Sequence, residues 1–133
     1  MSKTDDSAGA SKTRRAAYRR GRRGEWLAVL WLRCKGYRIL ARDLRLPVGE
    51  IDIVAVRGRT VAIVEVKARD SLAEAAESVS RRQRRRIAQA ARWFAASRPN
   101  LNTHAIRFDA LLIVPGRWPR HFADAWRDEE PSS

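Results

Sequence analysis

The sequence predicts one α/β domain: a mixed β-sheet flanked by helices, in the order α-β-β-β-α-β with room for an extra edge strand. Three observations carry that expectation. Tyr37 to Leu46, Glu50 to Arg57 and Thr60 to Ala68 read as strands, the last two alternating side to side and rich in β-branched residues. A helical pattern from about Ser78 to Ser97 separates the third from a fourth strand pattern, Thr103 to Pro115. A helix of that length crosses a sheet, so the strands on either side of it are expected to run parallel.

A chain of 133 residues holds one ordinary domain. Its hydrophobic fraction of 44% allows a real interior. Lys and Arg number 28 against 15 acids, a net charge of +13, and Arg dominates. Arg grips phosphate oxygens in pairs, so a polyanion is the expected partner. Cys34 is alone and the only histidines are His104 and His121, which excludes an internal disulfide and a Cys/His zinc cage. With no apolar run of membrane-spanning length and no secretory signal, the expectation is a soluble cytoplasmic protein with no membrane partner.

Residues 1–21 carry no periodic apolar positions and are expected to form a disordered basic arm, either following phosphates or an unselected tail. The folded domain is expected over 22–126, with a polar tail at 127–133. From Glu25 to Lys35, Leu27, Leu30, Trp31 and Cys34 mark one helical stripe and Trp26, Val29 and Leu32 a second, so this helix should be buried over much of its circumference. Gly36 stops it. In the next strand Tyr37, Ile39 and Ala41 share a side and Pro47 ends it. The long helix opens on a Ser80/Gln83 capping spacing, buries Val79, Ile87, Ala90, Ala91 and Phe94, and is closed by Pro99. The last strand points Ile106, Phe108, Ala110, Leu112 and Val114 inward. Trp26, Trp31 and Trp93 are expected in the core, Trp118 and Trp126 are the candidates for base stacking, and the histidines are expected at the surface.

The chemistry follows from a turn. If Gly58-Arg59 is a two-residue hairpin loop, Arg57 faces Thr60, and the same register places Asp52 opposite Glu65 and Glu50 opposite Lys67. Opposed residues project to the same side with Cβ atoms roughly 5 Å apart, so two carboxylates meet. Their repulsion needs an offset, and Mg²⁺ or Mn²⁺ supplies one through oxygen ligands while keeping waters and a phosphate. Lys67 on the same face adds the positive group that orients a water or stabilises charge on phosphorus oxygens. A solvated strand face with a cross-strand ion pair is the plainer alternative for Glu-x-Lys, although acid facing acid argues against a simple ladder of alternating charges. A one-residue slip in register would undo the arrangement.

At these residues the chain resembles the YraN family of bacterial proteins. The matching pieces are Gly24-Glu25, Gly36-Tyr37, the run Gly49 to Ala55, the run Val64 to Arg69, and Arg107-Phe108-Asp109, together spanning about Arg22 to Trp126. That family is similar to the PD-(D/E)xK nucleases and, among them, to Holliday-junction-resolvase-like endonucleases. The resemblance implies a restriction-endonuclease-like fold, Asp52 and Glu65 as metal ligands, Lys67 as the catalytic lysine and Glu25 as a further acidic ligand. Read from the residues alone, Glu25 is either that ligand or a first-turn acid favoured by the helix dipole. Two departures stand out: Arg82 before Gln83 replaces the family's usual lysine, and residues 69–77 lack a glycine often found there. Arg keeps the charge there but not the compact ammonium.

Arg69, Arg82, Gln83, Arg85 and Arg86 are the candidate nucleic-acid contacts, with a solvated helix face as the alternative for the arginine run. Glu50 is expected to pair with Lys67 or flank the site, and Asp109 to play a structural role. The function expected is a Mg²⁺- or Mn²⁺-dependent endonuclease acting on DNA rather than RNA, on branched or otherwise structured forms. One such site cuts one strand, so resolving a junction would call for a homodimer. The competing expectations are a catalytically inactive nucleic-acid-binding module of the same fold, and a scaffold whose basic face binds an acidic protein.

Overall fold

The computed structural model describes residues 24–69 and 80–127. The basic arm expected over 1–21, the tail from 128 onward, Val79 and most of the loop at 69–77 lie outside the described residues. Five strands form one sheet: β1 (Arg38–Leu46), β2 (Gly49–Arg57), β3 (Thr60–Ala68), β4 (Ala105–Ile113) and β5 (Arg120–Trp126), side by side in that order. The β3–β4 pair is parallel and every other pair antiparallel, the mixed sheet that the intervening helix demanded. The expected extra edge strand is β5. Among the described residues no helix is long and apolar enough to cross a membrane.

Two helices cover the sheet, one on each face. Helix α1, described over 24–34, places Ala28, Val29 and Leu32 against Ile53, Ala55, Ala62, Val64 and Leu111. Helix α2 (Arg81–Ala96) places Ile87, Ala88, Ala90, Ala91 and Phe94 against Val54, Val56, Val61, Ile63 and Phe108. Because both faces are covered, both alternating sets of β2 and β3 are buried, and neither strand has a solvent side through its middle. Ser80 caps α2, its hydroxyl accepting the Gln83 N–H at 3.1 Å. A single 3₁₀ turn, Pro99–Leu101, leads from α2 to β4.

The hairpin forms as the turn chemistry requires. Gly58 has φ +60°, a conformation costly for any residue with a Cβ, and the pairing runs from Arg57↔Thr60 to Ile53↔Val64. In β1 the expected alternation breaks: the register shifts between Ile39 and Ala41, so Tyr37 and Ile39 pack under α1 while Leu40, Ala41 and Leu44 pack under α2. One extra residue in a strand reverses the parity of everything after it.

Other expectations also need correction. Helix α1 is buried along one narrow face, the one turned to the sheet; Trp26, Leu27 and Leu30 are 58%, 40% and 40% exposed. Trp93 lies on the outer side of α2 and is exposed. Trp126 is not free for stacking on bases: it is buried on Phe108 with ring centroids 4.2 Å apart. Trp118 is exposed, its ring 5.9 Å from that of Trp31. In β4, Ile106 is exposed, whereas Asp109, Leu111 and Ile113 are inward on the second face.

Candidate active site

The hairpin ladder stops at Ile53↔Val64, one pair short of the two acids. Continued regularly, it would present Ile51 to the Val66 N–H. That N–H instead donates to Asp52 Oδ2 at 2.8 Å. The side chain of Asp52 thus replaces a rung of the ladder, and β2 and β3 part where their carboxylates lie. Ile51, freed from the strict alternation, packs in the α2 cluster with Ile87.

Asp52 and Glu65 come together on the α2 face, close enough for each to perturb the other's ionisation. Two ionised carboxylates so placed repel each other, so a proton or a cation between them is favoured. Burial is the main cause that lifts both acids. Glu65 is pushed up to about 7, with the neighbouring Asp52 charge adding to burial and Lys67 opposing it. Asp52 is raised too, restrained by the Val66 N–H.

Lys67 lies 3.2 Å from Glu65 Oε1, and both side chains are almost fully buried. Gln83 joins them from the first turn of α2: its Nε2 donates to Glu65 Oε1 at 2.7 Å, and its Oε1 accepts from Lys67 Nζ at 3.3 Å. One amide thus contacts both the acid and the base and fixes their spacing. The Gln83 side chain was expected to contact nucleic acid; it faces the protein's own acid and lysine. Its capping spacing was visible in the sequence, but nothing local said how far its side chain would reach.

Glu50 does not pair with Lys67, since the separation of the strands carries it to the exposed edge of the same cleft. The cleft measures about 210 Å³, and Arg82, Arg86 and Ser80 line it together with Asp52, Glu65 and Gln83. Gly49 lets α2 come this close: a Cβ there would stand 2.2 Å from the Arg86 carbonyl oxygen, a collision with backbone. The first turn of α2 contains no acid, and Arg82 and Arg86 bring positive charge to a cleft that also holds Glu50, Asp52 and Glu65.

The remaining expected site residues fall elsewhere. Glu25, in α1, is 3.8 Å from Arg42 Nε, and among the described residues no group of three or more His, Cys, Asp or Glu gathers as a metal cluster. Arg69 donates to the Ala68 carbonyl and lines a separate apolar groove of about 940 Å³ beside α1. Arg85 is exposed on α2 and does not line the cleft. The larger groove holds little titratable chemistry, whereas the small polar cleft holds both acids.

The opposite face of the sheet carries a second polar cluster. Asp109 is fully buried and accepts four hydrogen bonds: from Arg107 Nε and Nη2, both at 2.8 Å, from His121 Nε2 at 2.8 Å, and from the Asp124 N–H at 3.0 Å. Burial alone would raise this acid, but the Arg107 fork, the His121 ring and the Asp124 N–H outweigh it and hold Asp109 down at about 2. Its structural role agrees with expectation. His121 does not remain a surface residue, since its side chain is only 2% exposed.

The family model described as uncharacterised protein family UPF0102 matches residues 24–113, and the chain belongs to this family, the one reached above under the name YraN. It is 56% identical to a UPF0102 protein of Parvibaculum lavamentivorans over 112 residues, 84% of each chain. A UPF0102 protein of Paramagnetospirillum magneticum is 51% identical over 126 residues, 92% of this chain and 98% of the other. One from Maricaulis maris is 49% identical over 116 residues, 87% and 91% of the two chains.

Proposed function

We propose that this chain is a nucleic-acid-binding domain of nuclease-like construction, whose cleft receives a phosphate of the bound strand. The observation that carries this reading is the cleft itself, with Arg82 and Arg86 along it and the acid-free start of α2 at its mouth, on a protein of charge +13. DNA is the favoured partner, through the resemblance to PD-(D/E)xK nucleases. Binding of a labelled DNA, followed by fluorescence anisotropy against salt, should weaken steeply. Arg82→Ala and Arg86→Ala should each lower the slope of log K against log salt by about one. Affinity indifferent to salt would overturn the reading.

A second reading, metal-dependent phosphodiester hydrolysis, is favoured by the two buried acids, Asp52 and Glu65, lining one cleft. A pair of buried carboxyls that raise each other's pKa offers its oxygens to a hard cation, and the donor set suits Mg²⁺ or Mn²⁺, which take few carboxylates and fill their shell with water and phosphate. Asp52 and Glu65 would hold the ion; Glu25, the further ligand that the resemblance implies, stands on α1 beside Arg42 and does not line the cleft. When bound, such a cation polarises a phosphoryl oxygen and eases deprotonation of water. Lys67 would orient the attacking water or offset charge growing on the phosphate, and Gln83 keeps its ammonium beside Glu65. The test is cleavage of flapped and four-way DNA with Mn²⁺. Lys67→Ala should abolish cutting while the fold, checked by circular dichroism, persists; undiminished cutting rules the assignment out. Cutting paired strands of a junction would need two copies, which sedimentation on the junction would detect.

A further inference from the structure

We propose that Lys35 is a nucleophilic lysine, set up by His121 and Asp109 to accept an acyl group from a small acyl phosphate. The proposal concerns the face opposite the cleft and does not depend on the function proposed above.

Three side chains stand in line. Asp109 is fully buried, and its carboxylate accepts from His121 Nε2 at 2.8 Å; a carboxylate held well below its usual range only accepts, so Nε2 carries the hydrogen. The other ring nitrogen, Nδ1, is therefore an acceptor, and Lys35 Nζ lies 2.6 Å from it. A nucleophile hydrogen-bonded to a base that is itself oriented by a third group is the arrangement that activates side-chain nucleophiles. Lys35 is on the turn after α1, His121 on β5 and Asp109 on β4, so tertiary structure alone brings them together.

The surroundings decide where the proton rests. Arg57, whose Nη1 donates to the Lys35 carbonyl at 3.1 Å, and Arg107 both disfavour positive charge on Lys35. Desolvation lowers its pKa first, with Arg57 next, and Asp109 opposes them. Tyr37 packs edge-on against the His121 ring and accepts from Arg107, so it fixes the ring without competing for Nδ1. Lys35 remains exposed at the surface, open to a small reagent.

In the reaction, His121 Nδ1 takes the proton of the Lys35 ammonium and holds it on the ring beside Asp109. The free amine attacks the acyl carbon, forming a C–N bond. The C–O bond to phosphate breaks, and phosphate leaves with the electron pair and takes up the proton shed by the nitrogen. Arg57 supplies the cation beside this amine, which favours an acyl phosphate over a neutral acyl donor.

The sequence contains four lysines, Lys3, Lys12, Lys35 and Lys67, so the others serve as internal references. The full chain is treated with acetyl phosphate at pH 7, and acylation at each lysine is followed over time by peptide mass spectrometry. Lys35 should react about tenfold or more faster than Lys3 and Lys12. A rate equal to or below theirs overturns the proposal. His121→Gln retains a donor toward Asp109 but removes the base, so the rate at Lys35 should fall to that of Lys12 with melting unchanged. An unchanged Lys35 rate in that folded variant also overturns it. If His121→Gln does not fold, the wild-type pH profile decides: acylation of Lys35 should rise at lower pH than that of Lys12, and coincident profiles refute the relay.

Discussion

Asp52 with Glu65 and Asp109 with Arg107 lie on opposite faces of one sheet, within a few residues of each other along β3 and β4, and their electrostatics run in opposite directions. Around Asp109 every neighbour is a donor: a bidentate Arg, a His and a backbone N–H fill the carboxylate and draw its pKa down to about 2. Around Glu65 the donors Gln83 and Lys67 are set against burial and a second acid, Asp52; the ladder has opened, and its pKa is up near 7. The first cluster is finished as it stands and holds β5 to the sheet. The second keeps two acids side by side, and a proton or a cation between them relieves their repulsion. Strain of that kind persists where a site is shaped for a ligand rather than for its own stability.

The sharpest way to break the comparison is to remove each acid in turn. Asp109→Ala leaves the partly buried Arg107 without its counter-ion and the His121 Nε2 without its acceptor, and removing one partner of a buried pair costs about 3–5 kcal/mol. Chemical denaturation should show a loss of that order, with β5 fraying first in hydrogen exchange. A loss under 1 kcal/mol would mean that the Asp109 cluster is as dispensable as a surface pair.

A pH titration of stability separates the clusters without mutation. Glu65 has a folded pKa raised above its unfolded value of 4.5, so its contribution is fully present below pH 4.5 and is lost as pH rises through about 7. The loss for the metal-free protein should be on the order of 2–3 kcal/mol across that window. Asp109 behaves in the opposite sense, its contribution present above pH 3.8 and lost as pH falls toward 2. Added Mn²⁺ should restore stability at pH 8, by an amount that grows with concentration. Stability flat between pH 4.5 and 7 would show that the two acids do not share a proton.

Much of this contrast was legible in the residues. The Gly58-Arg59 turn fixes Arg57↔Thr60, and counting back from it places Asp52 beside Glu65; the Ser80/Gln83 spacing fixes where α2 begins. Local geometry of this kind is carried by neighbouring residues. The bulge between Ile39 and Ala41, the exchange of a ladder rung for the Asp52 side chain, and the reach of Gln83 are set by twist and by approach between distant elements, and no residue pattern announces them. His121 was missed for the same reason: its partners Asp109 and Lys35 are 12 and 86 residues away in sequence. Only the approach of β5 to β4 and of α1 to β5 gives that histidine a role.

The smallest expected effect is also the most diagnostic. Asp52→Asn keeps the shape of the side chain: its carbonyl still accepts the Val66 N–H, while its amide donates to Glu65 where two acids had repelled each other. Turning an acid–acid contact into an ordinary hydrogen bond should stabilise the protein by about 1 kcal/mol at neutral pH. It should also draw the Glu65 titration back toward 4.5, flattening the stability loss described above. The same change removes negative charge from the cleft, so DNA affinity should hold or rise even as any Mn²⁺-dependent cleavage disappears. A protein destabilised by Asp52→Asn would mean that the charge of Asp52 serves the fold as that of Asp109 does, and the distinction between a completed cluster and a waiting one would fail.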